Sequence, residues 1–179
     1  MKPFLRLAIV VASVAGVMFL LPRHNGDGDH VLAAGRPEVT LNIQNATPRQ
    51  VEDSTQKAVA RDYAAAWQAL ADALEQNRPD LLGANFVGTA GKKLGETISE
   101  QRKAGLHQRF QDKGHHVNAI FYSPEGSAIE LQDTAELQIQ VLDGDKVLHS
   151  EDVTVHYVAL LTAAENSWKV RVLEAVPEF

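Results

Sequence analysis

The hydrophobic pattern of this chain changes period three times along its length. Leu7 to Leu21 is an uncharged, mostly apolar run, preceded by Lys2 and Arg6 and closed by Pro22 and Arg23. A positive start followed by such a run is the pattern of an export signal. Crossing roughly 30 Å of hydrocarbon takes about 20 apolar residues. Phe4 to Leu21 comes close to that length if the stem of Arg6 extends to the interface. No small-residue cleavage site directly follows the run; the nearest, Val31-Leu32-Ala33-Ala34, comes late. The pattern therefore predicts a retained anchor over residues 1–22, in the membrane through residues 4–21. Lys2 and Arg6 place the amino terminus on the cytoplasmic side and the rest of the chain outside.

Residues 23–46 are rich in Gly, Asp and Asn and read as a flexible linker. Within it Val39, Leu41 and Ile43 alternate with polar residues, so a short strand docking onto the body is expected. Asn25 to Asp29 resembles a calcium loop, but His30 and Arg36 stand where Gly and Glu are required. Asn45-Ala46-Thr47 fits a glycosylation triplet of a kind that arises often by chance.

From residue 47 the period is helical. Thr47 suits an N-cap, Pro48 the first helical position and Gln50 a capping box. Val51, Thr55, Val59, Tyr63, Trp67, Leu70 and Leu74 form one stripe at spacings of three and four. Asn77-Arg78-Pro79 stops this helix. A short second helix is predicted from Pro79 to about Phe86, and a third over Lys92–Gln111, through Leu94, Ile98, Leu106 and Phe110.

After Gly114 the period falls to two. Val117 to Tyr122 is a predicted strand, and Ser123 to Gly126 a turn. Ile129, Leu131, Ala135, Leu137, Ile139 and Val141 share one parity, opposite Glu130, Gln132, Glu136, Gln138 and Gln140. Asp143-Gly144-Asp145 marks a hairpin. Val153, Val155, Tyr157, Ala159 and Leu161 alternate again, as do Trp168, Val170 and Val172. Pro177 cannot donate to a ladder, so the last strand ends by about Val176. Helices followed by an antiparallel meander define an α+β domain over residues 47–179, with about three helices packed on a curved sheet of about four strands.

Composition narrows the functional classes. Of 179 residues 45% are hydrophobic, enough for a packed core. The chain has 17 basic and 23 acidic residues; setting aside Lys2 and Arg6 leaves 15 against 23, a net charge of -8 beyond the anchor. A basic nucleic-acid footprint is therefore absent. The lack of cysteine removes thiol catalysis, thiolate metal sites and disulfides.

Three segments carry a family resemblance: Tyr63-Ala-Ala-Ala-Trp67-Gln-Ala-Leu70, Gln132-Asp133-Thr134-Ala135, and Asn166-Ser167-Trp168-Lys169-Val170. With the order of elements, they resemble the nuclear transport factor 2-like superfamily of cone-shaped domains, over roughly residues 48–176. That superfamily includes SnoaL-type cyclases and ketosteroid isomerases. An anchor followed by such a domain looks most like the mammalian-cell-entry-associated membrane proteins, and is similar in layout to assembly-factor domains of type IV secretion systems. The resemblance implies a non-catalytic envelope part that binds other proteins. Enzymatic members place an acid or a His–Asp pair inside the cone.

Asp133 is the only carboxylate on the apolar parity of its strand. On a continuous strand it points into the cone, where burial suits a general base; a turn at Gln132-Asp133-Thr134 would instead face it to water. The turn is preferred, because a buried unpaired Asp is rare. Tyr63, Trp67, Tyr157 and Trp168 lie on core-facing stripes. They either fill the core or line a pocket in which Tyr63 or Tyr157 donates to an oxyanion. His115 and His116 are neighbours on opposite faces, His149 and His156 differ in parity, and His107 has no helical partner, so all read as surface histidines and no metal or cofactor site is expected. The polar strand face, Glu130, Gln132, Thr134, Glu136, Gln138 and Gln140, is either a solvated surface or a wet homodimer contact through the sheet. The leading expectation is a membrane-anchored binding domain for a partner protein or itself. The alternative is a small-molecule or lipid-binding cone, or an isomerase- or cyclase-like enzyme with Asp133 as base.

Overall fold

The computed structural model describes residues 37–179. The predicted anchor and most of the linker lie outside those residues. Among the described residues no helix is long and apolar enough to cross a membrane.

Two short strands open the domain, β1 (Val39–Asn42) and β2 (Thr47–Pro48). Helix α1 (Asp53–Glu75) follows, then a 3-10 turn over Pro79–Leu82 and helix α2 (Gly88–Lys103). Four long strands complete it: β3 (His107–Tyr122), β4 (Ala128–Asp143), β5 (Lys146–Ala164) and β6 (Ser167–Val176). The four pair antiparallel in sequence order. β1 and β2 both add to the free edge of β3 in parallel, at Val39↔His115 and Thr47↔Phe121, so the sheet is mixed and six-stranded. The strand expected inside the linker is β1, and β6 ends at Val176, ahead of Pro177.

Three helix expectations need correction. Thr47 and Pro48 form a strand, and the long helix begins at Asp53 beyond Glu52. Pairing with β3 and the burial of Ala46 and Val51 outweigh the capping signal there. Helix α2 stops at Lys103, because Gly105 at φ 73° takes the left-handed conformation that ends a helix. Leu106, Gln108 and Phe110 then alternate inward on a strand rather than closing a helical stripe. Between the two α-helices only a 3-10 turn forms, so two helices cover the sheet rather than three.

The core lies between α1 and the concave face of the sheet. Val59, Tyr63, Trp67, Leu70 and Leu74 from the helix meet Leu131, Ala135, Leu137, Ala159 and Leu161 from the strands. Each carbon-rich side chain so buried is worth about 1.5–3 kcal/mol relative to exposure. The outer edge of β6 is closed by Asn85–Val87, through Val87 N–H to the Val170 carbonyl and Val170 N–H to the Asn85 carbonyl, both at 2.9 Å.

Candidate functional site

Strand β4 runs unbroken through Asp133, so the predicted turn does not exist. Asp133 is 0% exposed. The inward parity of Leu131 and Ala135 carries its carboxylate into the cone, and partners arriving from other elements offset part of the cost of burial. Tyr63 on α1 donates its hydroxyl to Asp133 Oδ2 at 2.8 Å. His115 Nδ1 lies 2.8 Å from the same oxygen. The other ring nitrogen of His115, Nε2, lies 2.7 Å from Asp112 Oδ2.

His115, expected at the surface, is 1% exposed. It shares the parity of Val117 and Ala119, both buried, which was the available signal. Asp112 carried no such signal. A register shift between Asp112 and Gly114, with Gly114 at φ 142°, changes the parity of β3 and turns both Asp112 and His115 inward. Without that bulge residues three apart on a strand would face opposite ways.

The electrostatics follow from this file of groups. Burial pushes the His115 imidazole down, but hydrogen bonds to Asp112 and Asp133 and their negative charges prevail and raise it to about 9. At neutral pH it is therefore an imidazolium whose two N–H groups donate to two carboxylates. Burial, and then the charge of Asp133, hold the Tyr63 hydroxyl well above its ordinary range, so it stays a donor. Tyr157 is pushed up by the same two causes. Asp133 Oδ1, Asp112 Oδ1 and Trp67 Nε1 are buried without a protein partner.

Aromatic rings close the cluster. The Trp67 ring lies over His115 with centroids 4.5 Å apart, and Tyr157 meets Trp67 edge-on at 5.2 Å. On the far side of Trp67 and Tyr157 is a cavity of about 90 Å³, otherwise lined mainly by apolar side chains such as Leu70, Phe110 and Leu173. A second space of about 10 Å³, beside Trp67, Phe110 and Asp112, holds one water at most. Of the four predicted pocket-lining residues, Trp67 and Tyr157 line the 90 Å³ cavity, and Tyr63 is sealed into the polar cluster. Trp168 packs elsewhere, against Tyr122, with its backbone N–H donated to Asp62. His149 stays near Glu151, and His156 meets Thr134 and Phe179. Among the described residues no group of three or more His, Asp or Glu converges to hold a metal. In the Asp112–His115–Asp133 file the imidazole sits between the acids, with each nitrogen already engaged.

No protein-family model matches the chain, and no curated protein matches it. Solved structures do. The intermembrane-space region of the chloroplast protein ARC6 superposes with a TM-score of 0.60 at 14% identity, over 72% of this chain and 98% of that one. Aln2 from a Streptomyces species gives 0.46 at 14% identity, over 71% and 94%. A candidate dehydratase of the nuclear transport factor 2-like family from Streptomyces avermitilis gives 0.46 at 12%, over 69% and 99%. The chain shares its fold with the ARC6 region. At these identities the likeness extends to the fold and not to chemistry.

Proposed function

We propose that this chain is a non-catalytic, extracytoplasmic binding domain on an N-terminal membrane anchor, with a protein as its ligand. The observation that supports the reading is the enclosure of the acid–imidazole pair. A general base must come within hydrogen-bond reach of its substrate, yet the side chains of Asp133 and His115 are fully enclosed. The 90 Å³ cavity beyond Trp67 and Tyr157 is well below the roughly 300 Å³ at which small-molecule sites begin, and the larger space of about 420 Å³ beside Arg61, Asp62 and Gln68 is lined by neither Asp133 nor His115. In this reading the acid–imidazole–phenol cluster orients α1 on the sheet and leaves the surface to do the binding.

The test is ligand-observed NMR on the full chain in nanodiscs with small apolar and carbonyl compounds, beside photocrosslinking from surface positions in the membrane. The expected result is protein crosslinks and no small-molecule binding. A compound that binds the native chain and not Leu173→Trp, which fills the cavity, would overturn the proposal.

A second reading has one observation in its favour, the His115–Asp133 pair with Tyr63 inside a cone. It makes Asp133 the base of an isomerase- or cyclase-like enzyme, with Tyr63 or Tyr157 as donor, and it requires the Trp67–Tyr157 wall to open. Turnover of a supplied substrate that is lost in Asp133→Asn would establish it.

A further inference from the structure

Strand β5 is only half covered. β6 pairs with His156 to Ala164, while Lys146 to Val155 has β4 on one side and, among the described residues, no strand on the other. Pro177 explains the boundary: it has no N–H to continue the ladder, β6 ends at Val176, and the Phe179 ring turns back against His156 at 5.1 Å. Such an edge presents a row of unpaired backbone donors and acceptors, a template for another strand. Its side chains are exposed from Lys146 to Leu148 and from Ser150 to Asp152. Val147 and Leu148, at 45% and 47%, are among the few exposed large aliphatics. Lys146 and the bulge of Leu148 between Val147 and His149 guard the hairpin tip against pairing, and Glu151 and Asp152 are the charges along the rest of the edge. From Val147 to Val155 there is no proline, lysine or arginine.

We propose that a second copy of this chain occupies this edge, β5 against β5, antiparallel about a two-fold axis at Ser150. The side chains complement themselves in that register. His149 stands opposite Glu151 of the other copy twice over and no like charges meet; beyond His149 the bulge at Leu148 ends the regular pairing. Two sheets then join through their edges, with main-chain hydrogen bonds supplying affinity and the paired side chains the register. This rests on the reading of the domain as a binding module and names its partner. It also moves the contact away from the polar outer face of β4, which offers no apolar anchor.

The absence of cysteine makes the test direct. Opposed residues in an antiparallel pair have Cα atoms about 4.5–5.5 Å apart, within reach of a disulfide. The full chain carrying Ser150→Cys is oxidised mildly in its membrane, with Glu136→Cys on the exposed outer face as comparison. Light scattering in detergent gives the mass of the unmodified chain. Expected are a Ser150→Cys dimer, no Glu136→Cys dimer, and a dimeric mass. His149→Glu, which sets acids opposite Glu151, is expected to weaken association at least tenfold, and Glu151→Lys in the same chain to restore it. Crosslinking through Glu136→Cys alone would overturn the edge in favour of the sheet face. A monomeric mass with neither crosslink would overturn self-association, while leaving the non-catalytic reading to its own ligand test.

Discussion

Tyr63 and His115 donate to one and the same oxygen of Asp133, each from 2.8 Å, the first from helix α1 and the second from strand β3. Helix and sheet are thus tied through a single fully buried carboxylate. Removing one member of a buried charged group strands the others, at a cost of about 3–5 kcal/mol. Asp133→Asn keeps the shape and loses the charge that faces the imidazolium. It is expected to destabilise by about 3 kcal/mol, read as a fall in melting temperature on the order of 10 °C. A change within 1 °C would mean that the cluster contributes nothing to folding.

The imidazole makes stability depend on pH. Its folded value, about 9, lies above the ordinary 6.5. The stabilisation is therefore fully present below pH 6.5 and is lost as pH rises towards 9. The loss is about 3 kcal/mol across that window. Denaturant midpoints at pH 6.5 and pH 9 should show the decline in the native chain. His115→Gln should be less stable at pH 6.5 and nearly flat between the two. A native profile that rises with pH would contradict the charged imidazole.

The two buried tyrosines should respond differently. Tyr63→Phe removes a donor from Asp133 and is expected to cost about 1–2 kcal/mol. Tyr157 lines the apolar cavity, and its hydroxyl has no protein partner among the described hydrogen bonds. Tyr157→Phe should cost less than about 0.5 kcal/mol. Urea unfolding of both variants decides the matter, and equal losses would refute the distinction.

A fourth expectation concerns Asp62, next to Tyr63 on the same helix. Asp62 Oδ2 accepts the buried backbone N–H of Trp168 at 2.7 Å, seating the start of β6. Asp62→Ala leaves that donor unsatisfied and should cost about 2 kcal/mol in urea. Asp62→Asn retains an acceptor and should recover most of it. If Asp62→Asn is no better than Asp62→Ala, the acceptor is not what matters.

The α+β order, the stripe through Val59, Tyr63, Trp67 and Leu70, the β4–β5 turn at Gly144 and the end of β6 before Pro177 were all legible in the sequence. Each is set by neighbours within a few residues, through side-chain period, turn chemistry or a missing N–H. The starts of α1 and β3 were not, because β3 supplies hydrogen bonds to Thr47 and Pro48 that no local signal announces. The site divides the same way. Inward parity for Asp133 and His115 can be read from their strands. That burial is tolerable depends on partners from α1 and from the bulge at Gly114, which only the assembled sheet brings within hydrogen-bond reach. What the sequence determined by itself is therefore what repeats locally. Which buried charges find partners, which aromatics close the cone and which strand edge stays open were decided by tertiary structure, because each depends on groups far apart along the chain.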